Sequence, residues 1–166
     1  MISKKAMDAA ASALIEVCAS FSDVELELLG EPRPFEPNGF VMGSCVSLTQ
    51  PEGTFSLAVL GDERSCEVMT RALFAMEPDE EVGKEEHADA LGEIANMTAG
   101  AVKRSLTTID GEELLLGLPL FFSGSDGLQY VRKGVDVITQ EVGGEGLELQ
   151  VVLICQRGRS CEVKAA

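Results

Sequence analysis

Residues 89–100 read DALGEIANMTAG, which sets an acid, a second acid, an amide and a glycine at Asp89, Glu93, Asn96 and Gly100. These spacings are helical. At about 100° per residue from Asp89, Glu93 falls at about 40°, Asn96 at about −20°, Gly100 at about 20° and Lys103 at about −40°. All five therefore share one stripe. Leu91, Ile94, Ala95, Thr98, Ala101, Val102 and Ser105 cluster on the opposite side and are expected to face a core. Two features do not suit a plain solvent face. Asn is a poor helix-interior residue because its side chain competes for backbone hydrogen bonds. Gly costs roughly 1 kcal/mol relative to Ala in a helix interior, and Gly92 lies at the edge of the stripe as well. A carboxylate can hold a cation, a carboxamide can both donate and accept without titrating, and a glycine-thinned face lets another surface come close. The bland alternative is a solvated helix face, with Lys103 complementing the helix C-terminal dipole.

The remaining chemistry-bearing residues offer no second centre. His87 is the only histidine, so a His-dependent triad would have to use it, and nothing nearby resembles a nucleophile motif. The five cysteines, Cys18, Cys45, Cys66, Cys155 and Cys161, are scattered with no CxxC. They read as free buried thiols in a reducing compartment, and no metal site is expected. Acids outnumber bases 28 to 13, for a formal net charge of −15. Such a surface repels phosphate backbones and anionic membranes, which argues against nucleic acid and lipid partners. No stretch is apolar for long enough to span a bilayer. The N-terminal MISKKAMDAAASALIEVCASF is interrupted by Asp8 and Glu16 and reads as a folded helix rather than a signal peptide. A cytoplasmic protein is expected.

The stripe must be held by the rest of the chain. A length of 166 residues suits one domain, 1–166. Met7, Ala10, Ala11, Leu14, Cys18 and Phe21 predict an amphipathic helix over 2–21. VELEL (24–28) alternates as a short strand, and EPRPFEPNG (31–39) reads as a connector. GFVMGSCVSLT and TFSLAVLG flank QPEG and predict a β-hairpin with one buried face. Residues 62–76 form a second helix with Pro78 beyond its end, and a long helix runs from about residue 80 or 85 to 106. LLLGLPLFFSG, YVRKGVDVITQEV and GLELQVVLICQ predict three strands joined by SGSDG and GGEG turns. The fold class is therefore α/β, in an α+β layered arrangement with a largely antiparallel sheet against long helices.

DALGEIAN continues through 22 intervening residues to Pro119 in GLPLFF. Asp89, Glu93, Asn96 and Pro119 thereby match the [DS]-x3-E-x2-N-x22-P pattern of the CheC/CheX/FliY phosphatases of bacterial chemotaxis, and the chain resembles the CheX-type, CheC-like fold over nearly its whole length. CheC-like members usually carry two such helices. Here the first helix offers Ser12 and Glu16 but Ala19 in place of Asn, and Glu67 in the second helix has no Asn three residues on. One intact site resembles CheX more than CheC. The resemblance implies a homodimer associating through its sheet, with the phosphorylated form of a CheY-type response regulator as substrate. That partner brings its own Mg²⁺, lysine and acyl phosphate, so no cofactor of this chain's own is implied. What hydrolysis lacks is a positioned water, and phosphoryl transfer depends mainly on positioning and charge stabilisation. The resemblance assigns the water to Asn96 and the regulator's lysine to Glu93. Asp89 reads as a solvated acid or partner contact, Gly100 as a point of close approach, Pro119 as structural at an edge or bulge, and Lys103 as a bystander. Two other readings remain. One is a non-catalytic module that binds a response regulator or flagellar-switch component. The other is a structural or ligand-sensing domain, with the stripe buried against its own sheet.

Overall fold

The computed structural model describes residues 4–36, 39–50, 53–110, 114–124 and 134–156. Helix α1 spans Lys4–Ala19, and alanines and unbranched residues give it high intrinsic propensity. Its buried face is Ala6, Met7, Ala10, Ala11, Ala13, Leu14, Val17 and Cys18. At its end the Ser20 and Ser22 hydroxyls donate to the Val17 and Cys18 carbonyls at 2.6 and 2.9 Å, which satisfies acceptors the helix leaves open. Strands β1 (Glu27–Pro34), β2 (Val41–Gln50) and β3 (Gly53–Gly61) follow. Helix α2 (Glu63–Phe74) starts at Asp62, whose carboxylate accepts from the Ser65 N–H at 2.7 Å, and stops at Ala75 in the left-handed region. Helix α3 runs over Lys84–Asp110. Four strands complete the chain: β4 (Leu115–Leu116), β5 (Leu120–Gly124), β6 (Val135–Gly144) and β7 (Leu147–Gln156).

The seven strands form one sheet in the order β1-β6-β7-β3-β2-β4, with β5 also on β2, and every pairing is antiparallel. The helices cover one face. Helix α1 packs on β6, β7 and β1; α3 packs on β2, β3 and β5; and α1 and α3 pack on each other. Strand alternation supplies the facing side chains: Met42, Val46 and Leu48 from β2, Leu57 and Val59 from β3, Leu149, Val151 and Leu153 from β7. This layered, largely antiparallel architecture is the one expected. On the far face Ala58, Leu60 and Val152 form a smaller buried cluster with Phe35, Cys45, Phe122, Val137 and Ile154.

Several boundaries differ from expectation. The strand expected over 24–28 is Glu27–Pro34, so half of the proline-rich connector is an edge strand. Prolines are tolerated there because an edge strand has one unpaired side. Gly30, at φ 70°, lies where the β1–β6 register shifts between Leu29 and Arg33. The run expected as one strand over LLLGLPLFFSG is split into β4 and β5. Four steps from Leu116 to Leu120 span three on β2 from Leu48 to Cys45, so one extra residue bulges out around Pro119. Helix α3 continues past residue 106 to Asp110. The GGEG turn is a two-residue hairpin, with Glu145 and Gly146 both at positive φ, 54° and 78°. Pro51 and Glu52 of QPEG, most of SGSDG, Tyr130–Lys133 and the tail after Gln156 lie outside the described residues.

Three cysteines, Cys18, Cys45 and Cys66, are free, and burial pushes the Cys18 and Cys66 thiols up to about 12. Cys155 is disulfide-bonded; this corrects the expectation that all the cysteines are free thiols. No described helix is long and apolar enough to cross a membrane.

Candidate functional site

Helix α3 places its two faces as its periodicity predicts. Ala90, Leu91, Ile94, Ala95, Thr98, Ala99, Val102 and Leu106 are buried. Leu91 and Ile94, fully enclosed, each contribute roughly 2 kcal/mol of burial. Thr98 returns its hydroxyl to the Ile94 carbonyl at 2.7 Å, so it needs no other partner inside the core. Ser105, assigned to the core face by its spacing, is exposed. On the other side Asp89 and Glu93 are exposed and Asn96 is half-buried. The stripe is thus not packed against the protein's own sheet.

The stripe forms one wall of a cleft of about 480 Å³. From α3 come Ala88, Asp89, Gly92, Glu93 and Asn96, and from the sheet come Ser44, Pro119 and Phe121. Asp89, Glu93, Asn96 and Pro119, separated by up to 30 positions in sequence, therefore line one space. Gly100 and Lys103 do not line it; a Cβ at Gly100 would lie 3.7 Å from the Arg104 guanidinium. The β4–β5 bulge is what brings Pro119 over. A Cβ built at Gly92 would lie 3.6 and 3.7 Å from the Pro119 ring and 4.0 Å from the Ser44 hydroxyl. Helix and bulge thus meet across Gly92. Beside Pro119, Leu118 and Leu120 are 86% and 70% exposed.

Ser44 escaped the sequence reading. Its signal is the alternation of β2: Met42, Ser44, Val46 and Leu48 share the helix-facing side, and one of the four is polar. Ser44 is fully buried, and its hydroxyl has no hydrogen-bond partner among the described residues.

Other candidates have structural employment. His87 is buried, and its Nδ1 lies 3.1 Å from the Thr70 hydroxyl, tying α3 to α2. A second cleft, about 450 Å³, opens on the other side of the sheet between Arg33, Phe35, Phe40, Glu141 and Gln150. There Arg33 is paired with Glu141, and the neighbouring Asp62 caps α2. On α1 the degenerate pattern Ser12, Glu16 and Ala19 is exposed, and neither cleft takes a residue from that helix. Among the described residues no cluster of His, Cys, Asp or Glu has the arrangement of a metal site.

Known proteins give a consistent picture. The family model described as "Chemotaxis phosphatase CheX" matches residues 42–143, more than half of the chain. No match to a curated protein is found. Among solved structures, the chemotaxis protein CheX from Desulfovibrio desulfuricans is 18% identical, with a TM-score of 0.72 over 92% of this chain and 99% of that one. CheX from Vibrio vulnificus is 20% identical, with a TM-score of 0.69 over 91% and 98%. The CheX-CheY-BeF3-Mg complex from Borrelia burgdorferi is 21% identical, with a TM-score of 0.68 over 92% and 96%. At these identities the structures share the fold, and the family model carries the assignment: this chain belongs to the CheX family of chemotaxis phosphatases.

Proposed function

We propose that this protein hydrolyses the aspartyl phosphate of a CheY-type response regulator. The observation that carries the reading is the shared cleft: a carboxylate and a carboxamide one helical turn apart, Glu93 and Asn96, open to a partner beside the Pro119 bulge. The regulator supplies the phosphoryl group and Mg²⁺. Asn96 orients the attacking water by accepting a hydrogen bond from it through the carbonyl oxygen and donating one to its oxygen through the NH2. Glu93 receives the regulator's lysine in a charge-assisted hydrogen bond, which fixes the helix against the partner's active site. The gain comes from position rather than from a nucleophile on this chain. Asp89 and Pro119 support the docking surface, and Gly100 lies one turn further along the helix. The family assignment supports the reaction class, and the Borrelia burgdorferi CheX, held with CheY, BeF3 and Mg, supports the choice of partner.

The reading extends to a homodimer formed through the sheet. Among the described residues β4 and β5 pair only with β2, and Leu115, Leu118 and Leu120 are exposed along that edge. Sedimentation at micromolar concentration tests it, and a monomer there rules it out.

The test of function is loss of aspartyl phosphate from a CheY-type regulator with no addition, with this protein, and with Asn96→Ala. Acceleration by the unaltered protein, abolished in a variant that still binds, is the expected result. Binding without acceleration would leave a non-catalytic regulator-binding module as the function.

A further inference from the structure

Beside its polar pair the cleft has apolar walls with no role in the reading above. Ala88 and Phe121 are half-buried, Pro119 is exposed, and all three line the same space as Glu93 and Asn96. On the wheel that puts Glu93 at about 40° and Asn96 at about −20°, Gly92 falls at about −60° and Ala88 at about −100°. Ala88, Gly92 and Asn96 therefore form one row along α3, each a turn from the next, on the flank that turns from the acids toward the sheet. Gly92 is the floor of the apolar side. It is buried, and a Cβ there would stand 3.6 and 3.7 Å from the Pro119 ring, so helix and bulge close the bottom while Ala88, Pro119 and Phe121 stay partly open above it. The walls are fixed before any partner arrives. Phe121 packs against the main core, Pro119 carries a closed ring, and Ala88 has no rotamers to lose.

We infer that Ala88, Pro119 and Phe121 form an apolar subsite that takes one aliphatic or aromatic side chain exposed on the response regulator beside its phosphorylated aspartate. The partner is that of the phosphatase reading, on which the inference rests. One cleft runs from these walls to Glu93 and Asn96, so a protein seated over the pair covers the walls as well. Charge makes such a contact useful. A chain of net charge −15 gains no long-range attraction toward an acidic phosphorylated site. Removing apolar surface from water attracts at short range whatever the sign of the charges, and walls already in place lose little freedom on binding. Glu93 would hold the partner at one point and the subsite at a second, with Asn96 at the end of the same row. Two fixed points set the direction of the helix across the phosphoryl group, which one point does not.

The experiment uses, among the CheY-type regulators of the same genome, the one that binds most tightly when activated with BeF3⁻ and Mg²⁺, and measures its affinity by titration calorimetry. Ala88→Gln puts a neutral polar chain into the subsite and keeps a good helix former. Phe121→Leu removes part of one wall and keeps an apolar residue against the core. Thermal unfolding checks that both remain folded at the assay temperature. Ala88→Gln is expected to weaken binding about tenfold and Phe121→Leu about threefold, each with a less negative heat-capacity change of binding. KM for the phosphorylated regulator should rise in step, while kcat changes by less than about twofold. Exposed apolar side chains around the regulator's phosphorylation site are then replaced singly by Ser. One of them is expected to lose its effect in the Ala88→Gln background, because residues in contact are not additive. Unchanged binding in either folded variant overturns the inference and leaves the phosphatase reading standing, and so does additivity at every regulator position. A shift in self-association, with regulator binding unaltered, would make a second copy of this chain the occupant and overturns it too. Binding weakened as expected in a protein that never accelerates dephosphorylation would sink the proposed function and leave the subsite in place. Failure to bind any of the regulators overturns both.

Discussion

The two edges of the sheet carry the same device and use it differently. At each edge the outer strand breaks register, and the neighbouring strand turns one polar side chain toward the helix layer at or beside the break. At the β1 edge that side chain is Gln140, on β6. Its amide donates to the Leu29, Gly30 and Glu141 carbonyls at 3.1, 3.2 and 3.0 Å, so these carbonyls at the irregularity are answered within the chain. At the β4–β5 edge the side chain is Ser44, on β2, and its hydroxyl is unanswered among the described residues. Gln140 stabilises a bulge; Ser44 lies beneath one that opens into a cleft. Bulges are common beside active sites because they re-aim side chains, and on the proposed function the β4–β5 bulge is the one that serves that end. Unmet hydrogen-bonding capacity separates them, since both polar residues are almost fully buried.

The sharpest way to break the comparison is Asn96→Ala, which on the proposed reading lowers catalysed dephosphorylation by roughly 10²-fold while regulator binding persists. An unaffected rate would remove the chemistry from the open edge. At the closed edge Gln140→Leu should cost about 2 kcal/mol in denaturant-induced unfolding, because buried carbonyls lose their donors, and should leave dephosphorylation unchanged. A rate that fell in step with stability would show the two edges to be coupled. The buried thiols test the core both edges share. Cys18 and Cys66 have folded-state values pushed up from 9.0 to about 12, so their contribution is present below the unfolded value and is lost as pH rises through that window. Alkylation of the native protein at pH 8 should therefore be slow at both, and fast after unfolding. The smallest effect expected is that of salt. With a net charge of −15 meeting an acidic regulator site, the rate should hold or rise modestly from low to moderate ionic strength. A steep fall would mean that attraction between opposite charges, not local contact, drives docking.

Much of this was legible in the residues. The α3 stripe follows from spacing alone, and the hairpin and β7 follow from alternation. The four-position match joined Pro119 to the stripe, but its physical cause, a bulge that meets the helix at Gly92, needs the register of β2 against two separate strands. Strand β1 was misplaced because Pro32, Pro34 and Gly30 are breaker residues by type, and only their position on an edge makes them acceptable. Ser44 was passed over because a single serine in MGSCVSL is unremarked until its neighbours in space are known. Gly100 shares the stripe's angle but lies one turn beyond the cleft, and angle on a wheel carries no information about where along the axis a second wall begins.

The β1 edge has one more consequence. Its prolines and its register break deprive it of the regular ladder of donors that an incoming strand would copy. A sheet blunted on one side can accept a copy of itself only on the other. On the proposed reading, two such molecules joined edge to edge would present blunted margins at both outer ends, so assembly would be self-limiting. Raising the concentration would then increase the number of pairs and never their length.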